Sequence, residues 1–420
     1  MTVSRVTRRT FLMTTAGGTV LAGFPRSLRA QPKTVKIGII HPVTGPLAEV
    51  GQLQRTSAQI AVDTLNAAGG IKSMNGARLE LLLGDTESKA DVARTVAERL
   101  INDGATVIMG GFHSGHIMAM VPVAQQRRVP FIIDIGAADA ITQNVAQSVK
   151  EGKQKTQYVY RIFPATTTFG LRAVQHMMGI FKETNASPKR IVVMYTNDAF
   201  GKPQSESFVN AVKAANAGFD IVDVIPYPED AKDLSTEVSR LKALRPDVLS
   251  PITRPATAIL LFQELTRQRV ELMGVISPGA PGMTQPRQLE ILRENLEYVM
   301  ASVPWPNPKS PRTQKVAEEY ARRTNGKGMD ETSFSYDGIQ VIADALERAR
   351  SSESDALVDA IKKTNFADPI MVSAGPIRFS EIGENVNATT AMIQIVKNKP
   401  YVVWPKEGAQ TQVVFPRPKV

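Results

Sequence analysis

The run Gly110-Gly111-Phe112-His113-Ser114-Gly115-His116, with Asp134 and Asp139 further along, gathers side chains that could serve several chemistries. Serine, histidine and aspartate are the parts of a nucleophilic triad, but the sharp turn that presents such a serine needs glycine two residues before and after it. Phe112 and His116 hold those places. A dinucleotide loop of the form G-x-G-x-x-G fails at Phe112, and a helical zinc pair needs histidines four apart, whereas His113 and His116 are three apart. Binding chemistry fits better. Ser114 stands where a residue caps the following helix, so its hydroxyl and the free N–H groups of the first turn would hold a carboxylate. The small residues of Asp134-Ile135-Gly136-Ala137-Ala138 let a second loop bring its backbone close to the same ligand, and His116 lines the cleft. No catalytic residue, metal or cofactor is expected.

These loops need a scaffold, and Val107 to Ile141 supplies it: apolar strand, glycine turn, helix, apolar strand, which together make one parallel βαβ unit. In parallel sheets ligands sit beyond the carboxyl ends of the strands, where both loops fall. The same alternation extends in both directions. Strands are expected at Val35–Ile40 and Leu79–Leu83, with a helix from about Gly51 and another over Ala93–Ile101; after a polar interval at Ala146–Gln157, strands follow at Ile191–Tyr195, Ile221–Ile225, Val248–Ile252 and Met273–Ile276. The proline-rich Pro304-Trp305-Pro306-Asn307-Pro308 opens a third region, and the tail carries short strands at Thr390–Val396 and Tyr401–Trp404. The predicted class is α/β, with two doubly wound parallel-sheet lobes.

At 420 residues and 43% hydrophobic content, two cores are within reach. The absence of cysteine excludes disulfides and thiolate chemistry. Five arginines and no acid fall within Met1–Ala30, so the +10 formal charge becomes +5 over the rest, and no basic run with interleaved aromatics points to nucleic acid. That first segment reads as an address: Thr7-Arg8-Arg9-Thr10-Phe11-Leu12 resembles a twin-arginine export signal, and Leu12–Phe24 is too short for a spanning helix. Cleavage is expected near Ala30, which places the mature chain in the periplasm.

Seven short motifs stand in a familiar order: Thr44-Gly45-Pro46-Leu47-Ala48, Asn66-Ala67-Ala68-Gly69-Gly70-Ile71, the Gly110–Pro122 segment, Val129-Pro130-Phe131-Ile132, Asn197-Asp198-Ala199-Phe200-Gly201, Pro246-Asp247-Val248 and Tyr336-Asp337. In these the chain resembles the type I periplasmic solute-binding proteins of ABC importers, in the leucine/isoleucine/valine-binding branch. The resemblance implies residues 1–30 as signal peptide, one lobe from 31–161 plus 303–380 and the other from 162–302 plus 381–420. Three hinge crossovers are expected near Arg161–Phe163, Ala301–Val303 and Phe379–Glu384. It implies a monomer that closes on a small-molecule ligand and is then read by an ABC permease in the inner membrane. By position, Ser114 and the Gly136, Ala137 and Ala138 backbone would hold a carboxylate, with Val50 and Tyr336 near the side-chain pocket and Phe200, Arg254 and Gly279 contributed by the second lobe.

Three departures narrow the ligand. Phe200 replaces a usual tyrosine, Arg254 puts a cation at a usual aromatic, and Gly279 stands where an acid usually meets an α-ammonium. A carboxylate without an ammonium, aromatic or short aliphatic, is therefore the preferred class. Branched-chain amino acid or amide binding, or a ligand-sensing receptor of the same fold, are the alternatives. Replacing Arg8 and Arg9 by lysine should strand the precursor inside the cell; fractionation showing unchanged periplasmic yield would contradict the export reading.

Overall fold

The computed structural model describes residues 34–279 and 281–418; the leader at 1–30 lies outside the described residues. Strands and helices alternate from the start: β1 (Thr34–His41), α1 (Ala48–Ala67), β2 (Arg78–Asp85), α2 (Ala90–Asn102), β3 (Val107–Gly110), α3 (Ser114–Arg127), β4 (Phe131–Ile133), α4 (Ala140–Lys150) and β5 (Val159–Arg161). These five strands form one parallel sheet in the order β2-β1-β3-β4-β5. The chain continues through α5 (Thr166–Glu183), β6 (Arg190–Thr196), α6 (Gly201–Ala215), β7 (Asp220–Tyr227), α7 (Ser235–Leu244), β8 (Val248–Ile252), α8 (Pro255–Arg267), β9 (Gly274–Ser277), α9 (Pro286–Leu292) and β10 (Met300–Val303). It then returns to the first lobe for α10 (Pro311–Arg323), α11 (Phe334–Ala349) and α12 (Ser354–Lys362), where α10 and α11 pack on α1. It ends in β11 (Ala391–Val396) and β12 (Lys399–Trp404). The second sheet runs β12-β11-β10-β9-β8-β6-β7, parallel except for the antiparallel pairings of β11 with β10 and β12.

The strands are apolar on both sides because helices cover both faces of each sheet. Along β1, Ile37 and Ile39 join one core and Ile40 another; along β8, Val248 and Ile252 face one way and Leu249 the other. Two boundaries differ from the sequence reading. The first helix begins at Ala48 rather than near Gly51, because in the turn ahead of it the Ala48 amide already donates to the Gly45 carbonyl. The apparent polar interval at 146–157 begins as the end of α4, a helix that looks polar because only Ile141, Thr142 and Val145 are buried.

The chain passes between the sheets three times. Two of these passages are laced together: the Arg161 amide donates to the Gly383 carbonyl (2.8 Å), and the Asn385 amide donates to the Arg161 carbonyl (2.9 Å). The passage expected at Ala301–Val303 starts later, since those residues belong to β10. Arg161 itself is fully buried. Its Nη1 donates to the carbonyls of Gly136 (3.2 Å), Ala137 (2.9 Å) and Ala138 (2.8 Å), and its Nη2 pairs with Glu384. Glu384 also accepts from the Thr142 hydroxyl at 2.6 Å. Removing one member of a buried pair leaves the other charge uncompensated, so Glu384→Ala should cost about 3–5 kcal/mol. Denaturant unfolding checks this; a loss below about 1 kcal/mol would mean that the carbonyls alone satisfy the guanidinium.

Candidate functional site

Both sheets contain a parallel 2-1-3-4-5 order: β2-β1-β3-β4-β5 in one, β7-β6-β8-β9-β10 in the other. In such sheets the crevice lies where the order reverses, at β1/β3 and β6/β8. The loops beyond these strand ends carry Phe112 and His113 after β3, Phe200 after β6 and Arg254 after β8. Together with the loops after β4, β5 and β9 they enclose a cavity of about 30 Å³ lined by Phe112, Ile135, Gly136, Ala137, Phe163, Phe169, Phe200, Arg254, Gly279 and Glu331. Five of the ten proposed binding residues are thus brought together: Gly136, Ala137, Phe200, Arg254 and Gly279.

The other five lie elsewhere. Val50 is buried in the inward face of α1, Ala138 sits behind the loop with its carbonyl on Arg161, and Tyr336 is buried in α11 with the Arg312 guanidinium 5.6 Å from its ring centre. His116 stacks on His113 at 4.5 Å between ring centres. Ser114 is the first residue of α3 and not its cap: the cap is His113, whose Nδ1 accepts from the Gly115 amide at 3.2 Å. The imidazole takes over because it reaches the Gly115 N–H from one position earlier. The Ser114 hydroxyl is 1% exposed and has no hydrogen-bond partner among the described residues.

The triad geometry is absent among the described residues. Asp134 is turned to His41 (2.8 Å), to Ser335 (2.5 Å) and to the Ile135 amide (2.8 Å), a buried network beneath the loop that forms the cavity wall. His113 Nε2 instead meets Glu229 at 2.7 Å, bridging the first lobe to the loop after β7. His113, Asp198 and Glu229 offer three ligand atoms within 4.8 Å of one another, as a metal would require. A cation there would face Arg254, whose Nε donates to Asp198 at 2.7 Å.

Two features set the chemistry. First, the loop carbonyls at Gly136, Ala137 and Ala138 are spent on Arg161, while the amides of these three residues donate to no partner among the described residues, which leaves the loop a donor. Second, Gly279 adopts φ +134°, and a Cβ there would come within 2.5 Å of the Phe169 ring. The Phe169 ring thus leaves no space for a side chain at 279. Phe169 packs in turn on Phe163, and Phe163 on Phe334, with ring centres 5.7 and 5.2 Å apart.

Arg254 is buried between Asp198 and the Phe200 ring, its Cζ 4.9 Å from the ring centre, and its Nη2 has no partner among the described residues. Despite its burial the Asp198 carboxyl titrates below the usual range, because Arg254 and the Gly201 amide favour its charged form. The sequence did not mark Glu331, which comes from a short turn ahead of α11 and is 4% exposed, its Oε1 unpartnered. Burial, reinforced by Asp330 and opposed by Arg254, pushes its carboxyl up to about 8. His116 goes the other way, down to about 4, through burial and the neighbouring His113 and Arg254.

With the geometry in hand, the chain can be placed. It matches the periplasmic binding protein family over residues 34–400 and belongs to that family, a family of solute-binding proteins. A Leu/Ile/Val-binding protein homolog of Brucella abortus (strain 2308) is 24% identical over 392 residues, covering 91% of this chain and 93% of the relative. Among solved structures, the branched-chain amino acid transporter substrate-binding protein of Streptococcus pneumoniae in complex with isoleucine is similar with a TM-score of 0.73, 18% identity and coverage of 91% and 100%. A solute-binding protein of Rhodopseudomonas palustris BisB5 in complex with 3,4-dihydroxybenzoic acid is similar with a TM-score of 0.72, 19% identity and coverage of 91% and 98%. No helix among the described residues is long and apolar enough to cross a membrane.

Glu331 yields a prediction about stability. Its carboxyl is harder to ionise in the folded chain than in the unfolded one, so the unfolded state releases its proton first and stability falls as pH rises from about 4.5 to about 8. Glu331→Gln should flatten this decline in a series of thermal melts. It should not abolish it, since burial also pushes Asp330 and Asp337 up to about 6 and about 7. An unchanged slope would show that Glu331 is not held neutral.

Proposed function

We propose that this chain is a periplasmic solute-binding protein that captures a small carboxylate-bearing ligand between its two lobes and delivers it to the permease of an ABC importer. The preferred ligand is an aromatic acid. The observation that carries this is the lining itself: four phenylalanines, Phe112, Phe163, Phe169 and Phe200, with Arg254 as the cation among them. Flat apolar walls favour a ring, and a guanidinium favours a carboxylate. The amides of Gly136 and Ala137 add donors on the facing lobe. The Rhodopseudomonas protein, bound to a dihydroxybenzoic acid, supports this choice, whereas the isoleucine complex keeps branched-chain amino acids as the second reading.

The lobes are 31–161 with 304–380 and 162–303 with 381–420, Val303 going with β10, and the protein acts as an exported monomer without enzymatic activity. A cavity of about 30 Å³ has room for little more than a water or two, so a ring-bearing acid requires the lobes to separate and close again around it. Contacts made by both lobes at once supply the affinity difference that favours the closed state.

A charge-assisted hydrogen bond contributes about 1.5–3 kcal/mol, so Arg254→Ala should weaken benzoate binding about ten- to a hundredfold in calorimetry. Tight binding of leucine with no binding of aromatic or aliphatic acids lacking the amino group would return the protein to the amino-acid binders.

A further inference from the structure

We propose that Glu331 reads a hydroxyl group on the ligand, which makes the preferred ligand a hydroxylated aromatic acid; this rests on the aromatic-acid reading above. Glu331 lines the cavity, is 4% exposed, and its Oε1 finds no hydrogen-bond partner among the described residues. A buried polar atom left bare is costly unless something that enters the cavity satisfies it. The charged and titratable groups that act on it are Asp330, beside it in the chain, and Arg254, across the cavity lining. Burial and Asp330 outweigh Arg254, so the carboxyl keeps its proton at neutral pH.

A protonated carboxyl offers one O–H donor and a carbonyl acceptor, and a hydroxyl group offers the same pair in reverse. An ammonium fits this place poorly. It brings three donors, yet Glu331 is the one lining side chain with an acceptor among the described residues, and the carbonyls of Gly136 and Ala137 already face Arg161. Position 279, where an acid would otherwise stand, is closed by the Phe169 ring. The cavity thus separates its polar tasks: Arg254 and the loop amides take the carboxylate, and Glu331 takes an uncharged hydroxyl.

The test is calorimetry of the wild-type protein with benzoate, 3-hydroxybenzoate, 4-hydroxybenzoate and leucine, repeated for Glu331→Gln and Glu331→Leu. One hydroxybenzoate should bind the wild type about three- to tenfold more tightly than benzoate, as one neutral hydrogen bond implies. Glutamine, an uncharged donor and acceptor, should keep that preference, and leucine at 331 should erase it, so that neither hydroxybenzoate binds that variant more tightly than benzoate. Equal binding of benzoate and both hydroxybenzoates to the wild type overturns the assignment without any variant having to fold. Loss of the preference in Glu331→Gln as complete as in Glu331→Leu also overturns it, because charge would then be what matters. Tight leucine binding that both substitutions destroy overturns it in favour of an ammonium. If no aromatic acid binds the wild type at all, the aromatic-acid reading itself fails, a result distinct from the others.

Discussion

The direction of one buried guanidinium governs the cavity. Arg161 has no water to solvate it, and taking such a charge out of water is repaid only by well-aimed partners. It finds them in three consecutive carbonyls and in Glu384. The carbonyls of the loop after β4 are thereby engaged, while its amides at 136, 137 and 138 donate to no partner among the described residues. The same side chain ties the first passage between the lobes to the third. A loop that lines the cavity and two passages between the sheets are therefore tied to a single residue.

Against that donor-rich wall the second lobe sets rings. Phe169 occupies the space beside Gly279, and Arg254 is wedged between the Phe200 ring and Asp198. Pairing with Asp198 lowers the cost of burying Arg254 and fixes its orientation, while its unpartnered Nη2 keeps donor capacity for something else. Positions 254 and 279, where the resemblance led other residues to be expected, each lie against an aromatic ring, Phe200 at one and Phe169 at the other.

Much of this could be read from the sequence because parallel strands buried on both faces leave unbroken apolar runs, as in Val35–Ile40 and Val107–Met109, and because ligand loops follow strand carboxyl ends. Gly136, Ala137, Phe200, Arg254 and Gly279, expected in that way or through resemblance, line one cavity. What escaped depends on contacts without a local pattern. Arg254 and Asp198 are 56 positions apart, Arg161 and Glu384 are 223 apart, and nothing around Glu331 distinguishes it from any exposed glutamate. The Ser114 cap failed for a subtler reason: serine and the preceding histidine can both reach a first-turn amide, and only the backbone path decides between them. Val50 and Tyr336 were positions transferred by resemblance, and here both are packed into the first lobe.

The repeated strand order has a bearing on how such a molecule can change. Each lobe completes its own 2-1-3-4-5 arrangement, and the cavity takes its lining mostly from loops at the ends of strands whose interiors are occupied by the cores. Arg254 and Glu331 lie on such connecting segments, whereas Phe200 belongs to the lining and to the core at once. The polar side chains of the lining are thus carried by segments outside the strands, while its rings are shared with the core, so the two kinds of position answer to different constraints.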